Sequence, residues 1–426
     1  MKESVNKTSS FLSNLQAAFG HAPWLEEESV SRRQELDTYM IPTTRDEYWK
    51  YTRLNKITNQ DYSGQSEVSE IDISAYLTPG LETHKLVFIN GIFRPELSDT
   101  FSAKGCHIGA LSAHKNGTRG MFEKFVNLGW QKELFTDINA AYFSDGAAIR
   151  IEKNCSPDKP IKILNILSGK QSVSIPRHVI VLEEGAELDV IERSIGVNAE
   201  QGFLNSVNDI TLKEGAVLRF NKTQQLKSAR VISTDQIKQF GNSQFQMNTI
   251  TMSGELVRNN VNIKQEGSHC HSELNGLYMA RANEHVDNHT LVHHLHPGST
   301  SSELYKGVLN DTSTGVFNGK VIVHRDAQQT NAFQSNANIL LTDDATVYSK
   351  PELEIYADDV KCSHGSTTGQ IDDEALFYLQ SRGLSKTSAR NLLLYAFAAD
   401  VLNKVKIKPL KKSILTYLAN RYNTDV

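Results

Sequence analysis

The sequence predicts a mainly β protein: a coiled β-helix solenoid flanked by N-terminal and C-terminal α-helical regions. Between residues 84 and 371, short β-rich runs alternate with Gly, Asn, Asp and Ser turns, without a long amphipathic helix. Residues 181–188 and 211–218 repeat a strand, an acidic turn, a glycine and a second strand at an offset of 30 residues. Such a period is typical of stacked coils. Both chain ends instead have helical periodicity.

Several short runs in the central region have the composition of strands. They are Lys85–Ile89, Ala148–Glu152, Ile161–Leu167, His178–Leu182, Glu187–Glu192 and Val217–Asn221. Residues 340–347 form a looser third copy of the repeat. A large antiparallel β-sandwich is the alternative architecture, because it is also rich in such turns.

The chain divides into three predicted parts. Residues 1–80 form an N-terminal helical region and a polar linker, residues 81–371 the β-helix core, and residues 372–426 a C-terminal helical domain. The second N-terminal helix is predicted over Ser29–Met40, and Asp372 or Asp373 is a good N-cap for the first C-terminal helix. We expect the C-terminal helices to cover the open end of the solenoid, whose unpaired edge invites aggregation.

Composition narrows the classes of function. With 39% apolar and 22% charged residues, the chain is typical of a folded soluble protein, and its net charge of -4 argues against a nucleic-acid partner. No run approaches the roughly 18 apolar residues that span a membrane. The N-terminus lacks a signal-peptide pattern, so we expect a cytoplasmic location. No phosphate-binding or dinucleotide-binding glycine motif is present, so we expect this chain to bind no nucleotide.

The four cysteines are scattered, without a C-x-x-C pair. This spacing predicts neither a disulfide framework nor a stable metal or iron–sulfur site built from this chain alone. Cys362 and His364 are two residues apart, so in a strand both side chains face the same side. Such a pair can bind iron or zinc, but two ligands do not complete a site. The alternative is a structural cysteine beside a hydrogen-bonded histidine.

A second histidine-rich region lies between residues 269 and 296. It contains His269, Cys270 and His271, then His285, Asp287 and His289, and finally His293, His294 and His296. One hypothesis is a histidine-liganded metalloenzyme. The other is a set of solvated or hydrogen-bonded histidines on a β surface.

A third hypothesis is a carbohydrate-active β-helix enzyme. Its candidate carboxylates are the adjacent pairs Asp343–Asp344 and Asp358–Asp359. Adjacent residues point to opposite faces of a strand, which favours a turn or salt-bridge role for both pairs. No groove with paired carboxylates of the glycosidase kind is evident.

The segment from Pro351 to Gly383 resembles the C-terminal signature of the SufB/SufD family. The similarity continues in Trp49–Thr52, Gly315–Lys320, Ala327–Thr330, Gln334 with Asn336, and Tyr395–Asp400. A SufB-type scaffold has a cysteine in the Phe-Tyr-x-x-Ser-Arg-Gly stretch, where this chain has Leu379. That departure favours the SufD side of the family.

The resemblance implies a right-handed parallel β-helix and a non-catalytic scaffold role in the SUF complex, which builds nascent iron–sulfur clusters and aids iron acquisition. The implied partners are a SufB-like paralogue and a SufC-like ABC ATPase that carries the nucleotide site. A homodimer is possible when the paralogue is missing.

The resemblance also assigns candidate site residues. His364 is the favoured ligand of a transient iron–sulfur cluster shared with SufB at the partner interface, and Cys362 is a second candidate. The apolar stripe of the penultimate helix is the expected ATPase-docking surface, and it consists of Leu392, Leu393, Ala396, Phe397 and Leu402.

Overall fold

Parallel pairing between successive coils organises the chain. The computed structural model describes residues 2–18, 26–62, 71–114, 119–126 and 132–421. With 45% strand and 22% helix, the protein is mainly β, and its centre is a β-solenoid of about 8 turns with helices at both ends. The predicted fold class is therefore confirmed, and the β-sandwich alternative is wrong.

The strands follow one another along the solenoid. They are β1 (His84–Ile89), β2 (Ile92–Phe93), β3 (Cys106–Ala110), β4 (Ala147–Ile151), β5 (Ile161–Ser168), β6 (Val173–Ser174), β7 (Arg177–Leu182), β8 (Glu187–Val197), β9 (Phe203–Leu212), β10 (Val217–Gln239), β11 (Gln244–Gln265), β12 (His271–Ala280), β13 (His285–His294), β14 (Thr300–Leu309), β15 (Thr314–Val323), β16 (Thr330–Leu340), β17 (Thr346–Ile355) and β18 (Val360–Gly369).

These strands stack into two facing parallel sheets. Sheet A contains β1, β5, β8, the first halves of β10 and β11, β12, β14, β16 and β18. Sheet B contains β4, β7, β9, the second halves of β10 and β11, β13, β15 and β17. Each coil contributes one strand, or half of a long strand, to each sheet. The open end of the solenoid is therefore formed by β17 and β18.

The repeat seen in the sequence is one corner of the solenoid, where the chain passes from sheet B to sheet A. Gly185 and Gly215 occupy the same place in consecutive coils, with φ of 64° and 68°, a region that L side chains rarely adopt. The Gly185 amide donates to the Glu214 carbonyl 2.9 Å away, which stacks one corner on the next. The prediction of a third copy at 340–347 is wrong. This segment connects sheet A to sheet B and therefore lies at the opposite corner of the solenoid.

Apolar side chains fill the space between the two sheets. Every second residue of a strand faces inward, so coil after coil adds one layer to a continuous core. Its members include Leu188, Leu218, Phe220, Phe245, Met247, Leu274, Phe317 and Val321. The period of two, together with the coil repeat, therefore determines which residues are buried.

A charged cluster is also buried between the sheets. The Lys222 ammonium lies 2.7 Å from Asp235 and 3.5 Å from Glu192, and all three side chains are at most 1% exposed. Asn208 donates to both carboxylates, and Ser233 accepts from Lys222. Burial disfavours the charged ammonium, but the two carboxylates outweigh this effect and raise the pKa of Lys222. The interior is thus held together by charge as well as by apolar packing.

The helices lie at the ends and on the outside of the solenoid. They are α1 (Lys2–Ala18), α2 (Glu26–Leu36), α3 (Asn55–Thr58), α4 (Arg119–Glu123), α5 (Leu134–Tyr142), α6 (Asp373–Ser381), α7 (Lys386–Leu402) and α8 (Lys408–Arg421). The second helix thus begins and ends earlier than predicted. No helix in these described ranges is both long and apolar enough to cross a membrane.

The C-terminal helices begin as predicted but do not cap the solenoid. Asp372 accepts from the backbone amides of Glu374 and Ala375, as an N-cap does. The module formed by α6 to α8 packs on the outer face of sheet A, where Leu394 and Val401 join a buried apolar cluster with strand residues. The expectation that these helices cover the open end is therefore wrong, because their apolar side chains are already buried against that outer face.

Candidate functional site

The last strand carries the two predicted ligands on its inner side. In β18, Cys362 lies beside Ala332 and His364 beside Gln334. Ala332 and Gln334 are buried inward-facing residues of β16, so Cys362 and His364 continue the same inward row. The expectation that they face the same side is confirmed. The His364 side chain lies on the inward-facing side of β18. It is nevertheless exposed, because no described coil stacks on that strand.

The two candidate ligands differ in their surroundings. Cys362 is half-buried against the core, and burial raises the pKa of its thiol, although a hydrogen bond with the Ala332 backbone partly opposes this. A raised pKa keeps the thiol protonated near pH 7, and the thiolate is the form that binds metals. His364 is open to solvent and is therefore better placed to bind an incoming metal.

The described residues supply only part of a metal site. No group of three His, Cys, Asp or Glu side chains within them could hold a metal ion. Beside His364 on the same inward row, the Ser366 hydroxyl donates to Ser349 across the two sheets at 2.7 Å. At the open end, this chain presents two side chains of the metal-binding types, and a complete site needs ligands from elsewhere.

A buried carboxylate, that of Glu303, lies in the same inward row two strands from His364, with Gln334 between them. Gln334 donates weakly to Glu303 at 3.4 Å, and the Thr290 hydroxyl donates to Glu303 at 2.6 Å. Burial raises the pKa of Glu303 to about 7, although these two hydrogen bonds oppose the rise. Glu303 was missed by the sequence analysis, because nothing in its neighbours distinguishes an inward-facing glutamate.

Glu303 should make the stability of the fold depend on pH. Its pKa is higher in the folded chain than in the unfolded one, so stability should fall as pH rises from about 4.5 to about 7 and then level off. We expect Glu303→Gln to match the wild type at pH 4 and to exceed it by about 3 kcal/mol at pH 8. Urea unfolding at both pH values measures this. The exposed Glu187→Gln is the control, and an E303Q difference that does not change with pH would contradict the prediction.

The open end of the solenoid is an exposed sheet edge. In β18 only Val360 and Cys362 are even partly buried, and β17 pairs only with β15 along its length. Natural proteins usually cover or blunt such edges, because unpaired strands pair with other chains. Four large side chains are also exposed nearby, namely Phe333, Tyr348, Ile355 and Tyr356. Together these features make the open end an exposed sheet edge with large apolar side chains around it.

The predicted docking stripe of α7 divides into two faces. Leu402 is 1% exposed and packs against sheet A, as Phe397 partly does. Leu392 is 47% exposed, and Ala396 is also exposed, whereas Leu393 is half-buried. The sequence analysis did not single out Phe377, Tyr378 and Tyr395, which are exposed on α6 and α7. The face available to a partner is therefore an aromatic surface around Leu392, while Leu402 holds the module in place.

The histidine-rich region serves a structural network. The buried Asp287 lies 2.7 Å from Arg258 and 2.9 Å from His289, and Thr52 contacts both Asp287 and His285. Burial would raise the pKa of Asp287, but His289 and Arg258 outweigh burial and hold it well below its usual value. Burial also lowers the pKa of both histidines.

These contacts attach an N-terminal segment to the solenoid. We call residues 46–52 the N-terminal clasp. Within it, the Tyr51 ring stacks on Tyr348 of β17 with centroids 4.2 Å apart, and Glu47 forms an ion pair with Lys350. The clasp therefore extends across sheet B to β17, the last strand of that sheet.

His293 and His294 also have local partners. His293 contacts His324 at 3.1 Å, and His294 contacts Ser301 at 2.9 Å. His269 lies in a turn with φ of 58°, outside β12, so it does not share a strand face with His271. Hydrogen-bonded histidines on a β surface, the second hypothesis, are what the structure contains. The metalloenzyme hypothesis gains no metal site from residues 132–421.

The acidic pairs also lie outside any groove. Asp343–Asp344 and Asp358–Asp359 occupy bends and turns between strands, as the turn interpretation predicted. At one of these turns the Asp359 amide donates to Gln328 at 2.9 Å. These positions therefore do not supply the two facing carboxylates that the hypothesis of a carbohydrate-active enzyme requires.

Fold and site together define a class: a β-solenoid protein whose exposed last coil presents a cysteine and a histidine on the same side of its final strand. Comparison with known proteins agrees with it. Residues 165–397 match the model described as "SUF system FeS cluster assembly, SufBD core domain", and residues 19–163 match "SufBD protein N-terminal region". The chain belongs to the SufB/SufD family and is a SufD-like iron–sulfur cluster assembly protein.

Individual relatives support this assignment along nearly the full length. An iron–sulfur cluster assembly SufBD family protein of Synechocystis sp. is 32% identical over 90% of this chain and 88% of its own. The iron–sulfur cluster assembly protein SufD of Escherichia coli is 30% identical over 91% of both chains. SufD of Bacillus subtilis is 23% identical over 93% of this chain and 94% of its own.

Proposed function

We propose that this chain is a non-catalytic scaffold subunit that assembles nascent iron–sulfur clusters together with a SufB-like paralogue and a SufC-like ABC ATPase. The observation that carries the proposal is the inward row of Cys362 and His364 on an uncovered last coil. The cluster is cargo, held transiently between His364 and ligands of the paralogue, a thiolate among them. The four free cysteines fit the reducing cytoplasm, where we place the complex.

The paralogue binds at the open end. Edge strands β17 and β18 offer unpaired backbone groups, and the exposed Phe333, Ile355 and Tyr356 offer apolar area to bury. Pairing with a second solenoid would continue the parallel stack and enclose His364 between the two chains. In isolation, two copies of this chain could pair through the same edge, which is the basis for a homodimer.

The ATPase binds the exposed face of the C-terminal module and supplies the nucleotide site of the complex. In this scheme ATP binding brings two ATPase subunits together and moves the attached module. Lys306 of β14 ties that module to sheet A through Asp400 at 2.6 Å and the Phe397 carbonyl at 2.9 Å. Since β14 pairs with β16, and β16 with β18, this ion pair gives the motion a route to His364.

Co-expression of a tagged chain with its SufB-like and SufC-like partners tests the proposal. The wild type should capture both partners. Tyr356→Asp places a charge at the open end and should weaken capture of the paralogue about tenfold or more, while ATPase capture persists. Leu392→Asp should have the opposite selectivity. Each variant is thus the folding control for the other.

Two outcomes would contradict the proposal. One is a wild-type chain that captures neither partner. The other is a pair of variants that lose both partners equally, because the two surfaces would then not be separate. Stoichiometric metal in the isolated chain would instead revive the metalloenzyme hypothesis.

A further inference from the structure

Three cationic side chains meet on the outer face of sheet A, far from the open end. Lys85 of β1 lies directly beside Lys162 of β5. On β8, Ile191 pairs with Lys162, and Arg193 follows two residues later, on the same face of the sheet. Like charges directly opposite one another on neighbouring strands destabilise a sheet unless an opposite charge compensates them.

Compensation within the described residues is incomplete. Lys85 forms an ion pair with Asp99 at 2.7 Å. Lys162 is 1% exposed, yet among the described residues its ammonium has no carboxylate partner and donates to the Tyr76 carbonyl at 3.0 Å. Arg193 donates to the same carbonyl at 3.0 Å and to a glutamine oxygen, while its Nε is buried without a partner. The buried Lys162 and the half-buried Arg193 therefore share one neutral acceptor, and neither has a carboxylate partner among the described residues.

Leaving these cations unpaired has a free-energy cost. Burial, and then the nearby Arg193 and Lys85, lower the pKa of Lys162 to about 7. A buried cation normally has a counter-charge or coordinates an anion, because removing an ion from water is expensive. The arrangement is stable as a charged site only when an anion is supplied.

A cavity lies next to Lys162. It has a volume of about 320 Å³, at the low end of the roughly 300–1,000 Å³ of small-molecule pockets. Lys162, Lys85 and Lys159 line it, together with the hydroxyl-bearing Thr78 and Thr83. The one carboxylate in the lining, Glu82, is largely exposed and already pairs with Lys159 at 2.8 Å.

We propose that this cavity is a binding site for a tetrahedral oxyanion, a phosphate group either free or carried by a small molecule. The buried Lys162 lines the cavity without a carboxylate partner among the described residues, and the ammonium groups of Lys85 and Lys159 line it as well. Lysine, arginine and threonine donors are the groups that proteins use for phosphate. The site lies at the first coils of the solenoid, whereas the candidate cluster ligands lie on the last strand.

Calorimetric titration of the full chain with inorganic phosphate, at constant ionic strength in chloride, tests the site. We expect one phosphate per chain, with Lys162→Met weakening binding about tenfold or more through loss of a charge-assisted contact. Lys153→Met is the matched control, since it removes the same charge from a mostly exposed lysine paired with Glu184. It should bind like the wild type. 2-Glycerophosphate as a second titrant distinguishes the sources: weaker binding supports free phosphate, and equal or tighter binding supports a phosphate ester.

Thermal unfolding separates loss of the site from loss of the fold. Without phosphate, Lys162→Met should unfold at the same temperature as the wild type or higher, because an uncompensated buried charge is gone. Phosphate should raise the unfolding temperature of the wild type and of Lys153→Met only. Stabilisation by sodium chloride equal to that by phosphate, or unchanged phosphate binding in Lys162→Met, would overturn the proposal.

Discussion

Replacing His364 with alanine is expected to abolish cluster build-up on the assembled complex and to leave the complex intact. In the described chain the imidazole of His364 makes no hydrogen bond or ion pair with another side chain, and it is exposed on the last strand. Its removal should therefore change the free energy of unfolding by no more than about 0.5 kcal/mol. A ligand that is lost from a shared site leaves the metal incompletely coordinated, so the effect on cluster content should be large.

The measurement is the iron and sulfide content of the co-purified complex after anaerobic reconstitution, with the visible absorbance of the cluster. Ser366→Ala, a change on the same inward row, is the matched control and should keep its cluster. Cys362→Ala should have an intermediate or small effect, because that thiol is half-buried and protonated. If the His364→Ala complex accumulates iron and sulfide like the wild type, the assignment of His364 is wrong.

Lys222→Ala is expected to cause the largest loss of stability in the solenoid. The substitution removes the cation between Asp235 and Glu192 and leaves two buried carboxylates without a counter-charge. Removing one member of a buried ion pair typically costs about 3–5 kcal/mol. The urea midpoint of Lys222→Ala should therefore fall well below that of the wild type.

Two further variants sharpen the Lys222 experiment. Lys153→Ala removes an exposed lysine, also paired with a glutamate, and should leave the urea midpoint nearly unchanged. Lys222→Met combined with Asp235→Asn removes one charge of each sign and should recover part of the lost stability. Equal midpoints for Lys222→Ala and Lys153→Ala would show that the buried charges contribute little.

Local patterns in the sequence predicted much of the architecture. The β-rich runs coincide with strands, and the side shared by Cys362 and His364 follows from the period of two within a single strand. Helix α5 was missed, because its nine residues, all of them buried, span too few turns to establish a helical period between β-rich segments. The 30-residue spacing of the repeat was found. The corner to which residues 340–347 belong was not, because similar turn sequences occur at both corners of the solenoid.

Contacts between distant residues could not be predicted. The sequence suggested metal binding for Asp287, whereas its partners are Arg258 and Thr52, which is 235 residues away. Lys162 and Arg193 resemble ordinary strand residues until stacking places them on adjacent coils. The C-terminal helices could cover an end or a face, and only the fit of their apolar side chains to sheet A decides between them.

The N-terminal clasp also sets an order of events during synthesis. Thr52 leaves the ribosome long before Asp287, and Glu47 precedes Lys350 by 303 residues. At about 5–20 residues per second, the clasp waits roughly 12 seconds or more for its docking surface. During that time Trp49, which ends up buried beneath the Arg258 guanidinium, lacks that contact. The docking of the clasp onto sheet B is thus among the last steps in the folding of the chain.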